Sequence, residues 1–164
     1  KTPISPDDTL GTIYFDRLFP LGVSALLEAS DLVVAGKHKE VVQDESQASY
    51  EGWCRVAEAR IDWAKPVDQV YNLIRGCNPA PGAWTTHNGK KLHIFDARKL
   101  VYRRFANVTG KIGEVTGVSG NSFKVATQGG TIEVLKARYE DGKKLAGSEV
   151  AHAGGLTPGS ALGG

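Results

Sequence analysis

NLIRGCNPAPGAWTT, residues 72–86, is the stretch of this sequence that decides its fold. The apolar residues that lead into it recur at helical spacing, and they are Val67, Val70, Tyr71 and Ile74. Because proline tolerates the first helical position and glycine ends helices, the spacing predicts a helix from Pro66 to Gly76. The Pro/Gly-rich segment 78–82 then favours a turn, and Trp84 lies in a run with the two-residue period of a strand. The stretch is therefore a junction between a helix and a strand.

After this turn the sequence predicts a series of short β-strands. Asn88-Gly89 is a strong signal for a two-residue hairpin turn, because both positions tolerate a positive φ. Glycine-containing turns separate the later strands. The five predicted strands span residues 83–87, 91–97, 110–116, 122–127 and 131–137. Five short strands at turn spacing fit a small, closed or partly open barrel of the oligonucleotide-binding type, here called OB-like.

Upstream of the junction, the sequence predicts helices followed by a linker. Asp8 and Thr9 are candidate helix N-caps, and an apolar stripe at helical spacing extends to Val34 with an interruption at Pro20. The residues that follow are polar and have no period, which is typical of an extended connection. We expect an α+β chain with N-terminal helices in 1–36, a linker in 37–60, a helix plus a small five-stranded OB-like β-barrel in 61–148, and a flexible tail in 149–164.

Composition and charge restrict the class of protein. Apolar residues make up 41% and charged residues 23% of the chain, which are ordinary values for a globular domain. No apolar run reaches the roughly 18 residues of a membrane span. Cys54 and Cys77 fit two reduced thiols better than a disulfide framework or a zinc site. Residues 1–80 carry 8 Lys and Arg against 12 Asp and Glu, whereas residues 81–164 carry 12 against 6.

The basic C-terminal half supplies candidate residues for binding an anion or RNA. They are Lys90, Lys91, Arg98, Arg103, Arg104, Lys111, Lys124 and Arg138. Tyr102 and Phe105 interleave with two of the arginines, a composition that suits phosphate pairing together with base stacking. The alternative is that these charges are a solvated surface. We expect Trp84, Phe95 and Phe123 to be core residues of the barrel.

No motif in the sequence indicates catalysis or metal binding. The four histidines have no thiol or carboxylate at metal-ligand spacing, and we expect His87 and His93 to be exposed imidazoles. No phosphate-binding glycine motif and no nucleophile elbow are present. We therefore assign no catalytic residue, no cofactor-binding residue and no metal ligand.

Several short motifs along the chain resemble a known family. They are Asp8-Thr9, Leu18-Phe-Pro-Leu-Gly22, Tyr50-Glu-Gly52, Ile61-Asp-Trp63, Ile74-Arg75-Gly76, Pro81-Gly-Ala-Trp-Thr85 and Leu156-Thr-Pro-Gly159. The chain resembles the C-terminal region of the formyltransferase superfamily, which includes methionyl-tRNA formyltransferase and the hydrolase domain of 10-formyltetrahydrofolate dehydrogenase. The structural signature of the resemblance is Arg75, Gly76, Pro81, Gly82 and Trp84. The motifs at 18–22 and 50–52 look closer to the hydrolase branch.

The resemblance implies what the chain does. It implies a parent enzyme that uses 10-formyltetrahydrofolate, with an Asn/His/Asp active site in a Rossmann-like catalytic domain upstream of Lys1. Residues 1–36 would be the last helices of that domain. The chain itself would be non-catalytic, bind no cofactor, support the catalytic domain and assist substrate access in the cytoplasm. The alternative is a tRNA-binding or RNA-binding OB-like module of a methionyl-tRNA formyltransferase.

Overall fold

The computed structural model describes residues 1–102, 109–140 and 142–164, and it divides the chain into two compact units. The N-terminal unit is Lys1–Trp53 and the C-terminal unit is Cys54–Gly164. The predicted residues Arg103, Arg104 and Phe105 lie outside the described residues.

The N-terminal unit consists of helices α1 (Leu10–Ile13) and α2 (Phe19–Val34), joined by a π-helical segment at Tyr14–Leu18. Thr9 begins the first helix by a reciprocal pair of backbone–side-chain hydrogen bonds with Thr12. Pro20 lies in the first turn of α2. Its lack of an N–H group costs little there, because the first N–H groups of a helix have no acceptor within the helix. No side chain of α1, α2 or the π-helical segment is buried.

Helix α3 (Val67–Gly76) begins after Pro66 and ends at Gly76, as the sequence predicts. It buries the four predicted apolar residues, Val67, Val70, Tyr71 and Ile74. Because these positions lie three or four residues apart, they form one face of the helix against the β-sheet. Burial of this face is the main reason that a helix of this length is stable.

Within the described residues, the sheet of the C-terminal unit is antiparallel and has six strands. They are β1 (Ala83–His87), β2 (Lys90–Val101), β3 (Val115–Ser119), β4 (Ser122–Thr127), β5 (Gly130–Tyr139) and β6 (Leu145–Ala146). The strand order is β1-β2-β5-β4-β3, and β6 pairs with β5. The register shifts on both sides of Asp96, where β2 crosses β5.

The α+β prediction is confirmed, but three details of the barrel prediction differ from the structure. The described residues form six strands where five were predicted, because β6 was not predicted. The strand predicted at 110–116 begins only at Val115, because Gly110 and Gly113 have positive φ angles that interrupt extended backbone. Within the described residues β1 and β3 lie at opposite ends of the strand order, so the sheet is open. An OB-like closure therefore stays a prediction.

The C-terminal residues, expected to be a flexible tail, form defined structure. Helix α4 (Gly147–Gly154) packs on the sheet, and Leu156 and Leu162 are buried beyond it. The final residues make backbone hydrogen bonds with segment 113–115 and with Thr86. A Cβ at Gly147 would collide with the carbonyl oxygen of Val134. The small residues that suggested flexibility thus permit close packing.

The core lies between α3, α4 and the inner face of the sheet. Its largest fully buried side chains include Phe123, Ile74, Leu92, Ile94 and Ile132. Trp63 is also buried, and its Nε1 donates to Oγ1 of Thr85 at 3.0 Å. The motif Ile61-Asp-Trp63 therefore anchors the start of the C-terminal unit to β1.

Candidate functional site

One row of residues crosses the three neighbouring strands β1, β2 and β5. In the cross-strand register, Trp84 pairs with His93 and His93 pairs with Arg138. Directly opposed side chains lie on the same face of a sheet, so these three residues share one face. The sequence could not reveal this row, because it depends on which strands pair and in which register.

Two cations lie close to the Trp84 ring on this face. The Lys91 Nζ lies 4.6 Å, and the Arg60 Cζ 5.6 Å, from the centroid of its ring. The backbone N–H of Trp84 donates to the carbonyl of Ala59 at 2.9 Å, and its carbonyl accepts from the N–H of Ile61 at 2.7 Å. These bonds bring Arg60 to the tryptophan. The distances of Lys91 and Arg60 from the Trp84 ring are within the range of cation–π attraction.

The tryptophan ring is fixed in place but only half-buried. Its indole N–H donates to the carbonyl of Val56 at 2.6 Å, and the ring packs against the edge of the core. Our prediction that Trp84 is a core residue therefore holds only in part. Phe123 is a buried core residue, as predicted, whereas Phe95 is buried on this face outside the core cluster. Trp84 is more exposed than Phe95, the other aromatic ring of this face.

Phe95 supports a second group of cations. The Lys144 Nζ lies 3.6 Å and the Arg138 Cζ lies 5.4 Å from its ring centroid, and the His93 ring stacks on it at 6.2 Å. Partial burial, together with the charges of Arg138 and Lys136, lowers the pKa of Lys144, and Asp96 opposes this effect. Positive charge is therefore crowded at this end of the row.

The residues around these two rings form what we call the basic aromatic face. They are Arg60, Trp84, Lys91, His93, Phe95, Arg138 and Lys144. Crowded cations beside a partly exposed aromatic ring can pair with phosphate groups while a base stacks on the ring. Of the predicted site residues, the structure brings Lys91 and Arg138 together here. Arg60 and Lys144 were not predicted, since neither lies in a basic cluster of the predicted strands.

The other predicted cations lie elsewhere. Arg98 and Lys124 both pair in register with Glu133, so an acidic residue lies between them. Lys111 lies in the turn before β3, where its backbone N–H donates to the Glu114 carboxylate at 2.9 Å. Lys90 is exposed beside the β1–β2 turn. The predicted set therefore does not form one continuous surface in the described residues.

The signature residues build the turn that positions Trp84. Arg75, in the last turn of α3, donates from Nε to Oδ1 of Asn72 at 2.8 Å. Gly82 has φ of +83° and donates its N–H to the carbonyl of Cys77 at 2.8 Å, which closes the turn. A Cβ at Gly82 would lie 2.7 Å from the Phe95 ring, so glycine is needed for space as well as for conformation.

His87 and His93 are buried, which differs from our expectation of exposed imidazoles. His87 is 5% exposed and its Nδ1 lies 2.8 Å from the hydroxyl of Tyr139, beside a cleft of about 430 Å³. Burial lowers the pKa of His87 and raises that of Tyr139 to about 12. Because burial disfavours the charged imidazole, the arrangement favours a neutral structural hydrogen bond between the two residues.

The described residues contain neither a cluster of metal ligands nor a membrane-spanning helix. Within residues 1–102, 109–140 and 142–164, no three His, Cys, Asp or Glu side chains are grouped as metal ligands. Among the helices of the same residues, none has the length and apolar character needed to span a bilayer.

Comparisons with known proteins identify relatives of this chain. Residues 54–153 match the family model described as "Formyl transferase, C-terminal domain". The chain is 34% identical over 164 residues to a methionyl-tRNA formyltransferase of Bacillus velezensis, covering 99% of this chain and 50% of the relative. It is 36% identical over 162 residues to that of Syntrophomonas wolfei, covering 98% and 50%. The chain thus spans about half the length of the curated relatives it matches.

Solved structures show the same fold. HypX from Aquifex aeolicus in complex with tetrahydrofolic acid superposes with a TM-score of 0.73 and 22% identity. The superposition covers 92% of this chain and 26% of HypX. At this identity the likeness concerns the fold alone.

Proposed function

Because this chain belongs to the family of formyl transferase C-terminal domains, we propose that it is the non-catalytic part of a 10-formyltetrahydrofolate-dependent formyltransferase. In this proposal the C-terminal unit assists substrate access by holding the RNA portion of a tRNA-linked formyl acceptor on the basic aromatic face. The formyl group is transferred from the folate to an amine in a separate catalytic domain of Rossmann-like fold. We assign no residue of this chain to the folate or to the chemical step.

The contacts of Trp84 are the observation that supports this proposal. Lys91 and Arg60 lie against a half-buried indole ring that is held by the carbonyl of Val56. Such a ring offers a rigid stacking surface, and the flanking cations can neutralise the phosphates on either side of a stacked base. The curated relatives are named methionyl-tRNA formyltransferases, which is consistent with an RNA substrate.

The N-terminal unit supports the proposed partnership with a catalytic domain. Leu26 and Leu27 are 69% and 63% exposed, and Phe15 and Phe19 are 61% and 56% exposed. Helices of a folded protein bury such an apolar stripe against another element. We propose that the catalytic domain is that element.

The acceptor separates two proposals for the parent enzyme. The motifs at 18–22 and 50–52 favour a hydrolase, which releases the formyl group to water and has no need of an RNA-holding surface. The basic aromatic face favours a tRNA-linked amine. For this reason we propose that the formyl acceptor is an amine linked to tRNA. We also propose that the protein is cytoplasmic, where such a reaction occurs.

A binding titration with tRNA at low and moderate salt tests the proposal. We expect salt-sensitive binding, because each neutralised phosphate contributes about 0.9 to the slope of log affinity against log salt. The double variant Lys91→Ala/Arg138→Ala should reduce this slope by about 2. The matched control Arg98→Ala/Lys124→Ala removes the same amount of charge from two residues that pair with Glu133. This control should leave most of the salt dependence unchanged.

The tryptophan gives a second measurement. Trp84→Leu should weaken tRNA binding by about 1–3 kcal/mol through lost stacking, whereas Trp84→Phe should retain most of the affinity. Salt-insensitive binding, or an equal loss in both double variants, would contradict the RNA-holding role. A purely supportive role for the domain would then remain.

The non-catalytic assignment has its own assay. The chain alone should cause no loss of 10-formyltetrahydrofolate above the buffer rate. Turnover by the chain without a catalytic domain would refute the assignment, whether or not tRNA binds.

A further inference from the structure

The two cysteines, which are 23 residues apart in the sequence, lie in contact. The Sγ atoms of Cys54 and Cys77 are 3.8 Å apart, and both thiols are free. We propose that this pair is a site of oxidative modification, at which a peroxide converts the two thiols into a disulfide that clasps segment 54–60 to the end of α3.

The two sulfurs have different surroundings. Cys77 is 2% exposed and caps α3, where its N–H donates to the carbonyl of Leu73 at 3.0 Å and its carbonyl accepts from Gly82. Cys54 is exposed and precedes a turn in which the Glu58 N–H donates to the Arg55 carbonyl at 3.1 Å. One sulfur is therefore held by a rigid helix end and the other is carried by a surface segment that can adjust.

The surroundings determine the order of the reaction. Burial, together with the contact with Cys54, raises the pKa of Cys77 to about 12, so the Cys77 thiol stays protonated and shielded. The exposed Cys54 is the sulfur that a peroxide can reach. Because thiolate character and access determine which cysteine is oxidised, Cys54 reacts first.

The chemistry proceeds in two balanced steps. The Cys54 thiolate attacks one peroxide oxygen, the O–O bond breaks, and Cys54 becomes a sulfenic acid as hydroxide leaves. The Cys77 sulfur then attacks the Cys54 sulfur, the S–O bond breaks, and the Cys77 proton leaves with the hydroxyl group as water. The two sulfurs lose two electrons to the peroxide. The S–S bond of about 2.0 Å requires the exposed Cys54 side chain to approach Cys77 from its present Sγ–Sγ distance of 3.8 Å.

The clasp would act on the segment that holds Trp84. Val56 accepts the indole N–H at 2.6 Å and Arg60 lies over the same ring. Because both residues belong to the clasped segment, the disulfide would fix these contacts in place. Closing the loop from Cys54 to Cys77 also removes freedom from the unfolded chain, which should raise the Tm of the C-terminal unit by about 5–15 °C.

Treatment of the full reduced chain with hydrogen peroxide tests the proposal. We expect a monomer that has lost two hydrogen atoms by intact mass, a Cys54–Cys77 cross-link in the non-reducing peptide map, and a raised Tm that dithiothreitol reverses. Cys54→Ser should abolish the cross-link and leave Cys77 unmodified in the folded chain. Cys77→Ala should leave a sulfenic acid at Cys54 that dimedone traps.

Three results would overturn the inference. They are oxidation of Cys54 to sulfinic acid in the wild-type chain without a cross-link, dimers linked through Cys54, or a cross-link that leaves the Tm unchanged. Circular dichroism of Cys54→Ser, at an exposed position, verifies that the variant is folded. None of these readouts depends on RNA, so the inference and the proposed function can fail separately.

Discussion

The two units of the chain contain similar apolar residues but bury them to different extents. Phe123 in the C-terminal unit is fully buried, whereas Phe15 in the N-terminal unit is 61% exposed. The C-terminal unit packs one contiguous core from α3, α4 and the sheet. In the N-terminal unit, local bonds at the start of α1 and between Arg17 and segment 3–8 hold the helices.

This difference shows what a helical period can and cannot predict. An apolar stripe predicts a helix from local geometry, but it does not identify the surface on which the stripe packs. In the C-terminal unit that surface is the sheet. In the N-terminal unit it is, in our proposal, a catalytic domain outside this chain. The two units should therefore respond differently to the same substitution.

The largest contrast is expected between two phenylalanine truncations. Phe123→Ala should lower the free energy of unfolding of the C-terminal unit by about 3–5 kcal/mol, because it removes a buried ring and leaves a cavity. Phe15→Ala should change it by less than about 0.5 kcal/mol. Urea denaturation, followed by the fluorescence of the buried Trp63, measures both. A comparable loss in Phe15→Ala would show that the N-terminal helix is buried in the isolated chain.

A smaller contrast is expected between two tryptophans. Trp63→Phe replaces the indole with a smaller phenyl ring and leaves the buried hydroxyl of Thr85 without the indole donor, which should cost about 1–3 kcal/mol of unfolding free energy. Trp53 is 89% exposed, and Trp53→Phe should have no measurable effect. Equal midpoints for the two variants in urea would contradict the role of the Trp63–Thr85 bond. Thermal unfolding followed by circular dichroism provides an independent measurement.

The sequence predicted the local elements of the fold better than their assembly. The strand from Ala83 to His87 has the predicted bounds, and the helix ends at the predicted Gly76 and begins one residue after the predicted Pro66, since local spacing and turn residues determine both elements. The strand predicted at 110–116 begins later in the structure, at Val115, because the apolar period of the sequence does not reveal the positive φ of Gly113. The open strand order likewise depends on pairing between distant segments, to which local patterns are insensitive.

The sequence predicted that the second half of the chain is basic, but it did not predict which of the basic residues lie together. The excess of cations after residue 80 indicated a basic surface, and it included Lys91 and Arg138. The grouping of these two around Trp84 and Phe95 arises from cross-strand register, and Arg60 arrives through a separate pairing with β1. The prediction of a flexible tail in 149–164 was wrong because glycine and alanine occur in closely packed segments as well as in flexible ones. Composition alone does not distinguish these two cases.

The histidines offer a pH-dependent form of the comparison. Burial lowers the pKa of His87 below its ordinary value of 6.5, so the folded C-terminal unit favours the neutral ring. Its contribution to stability is present above pH 6.5 and is lost as the pH falls through the lowered pKa, because the unfolded chain binds the proton first. His87→Gln should flatten the unfolding free energy in this window.

His38, an exposed residue of the N-terminal unit, is the matched control for His87. His38→Gln should leave the pH profile of the C-terminal unit unchanged. The prediction would be contradicted if the unfolding free energy of the wild-type C-terminal unit did not fall below pH 6.5.

The smallest effects are expected from two surface carboxylates. The Arg17 guanidinium 2.5 Å away, together with the Ser5 N–H, lowers the pKa of Asp8 from 3.8 to about 2. The ion pair therefore orders the start of α1 above pH 3.8 and is lost as the pH falls towards 2. Asp8→Asn should reduce the far-UV helical signal of the chain slightly and remove this part of its acid dependence.

The counterpart of Asp8 in the C-terminal unit is Asp68, whose carboxylate contacts the Lys99 ammonium at 2.5 Å. Asp68→Asn should shift the unfolding free energy of that unit by at most about 1 kcal/mol, because the pair is exposed to solvent. The packed core should hold α3 in place after this change, so its helical signal should persist. If Asp68→Asn instead reduced the helical signal as Asp8→Asn does, local ion pairs rather than the core would be holding α3, and the contrast between the two units would fail.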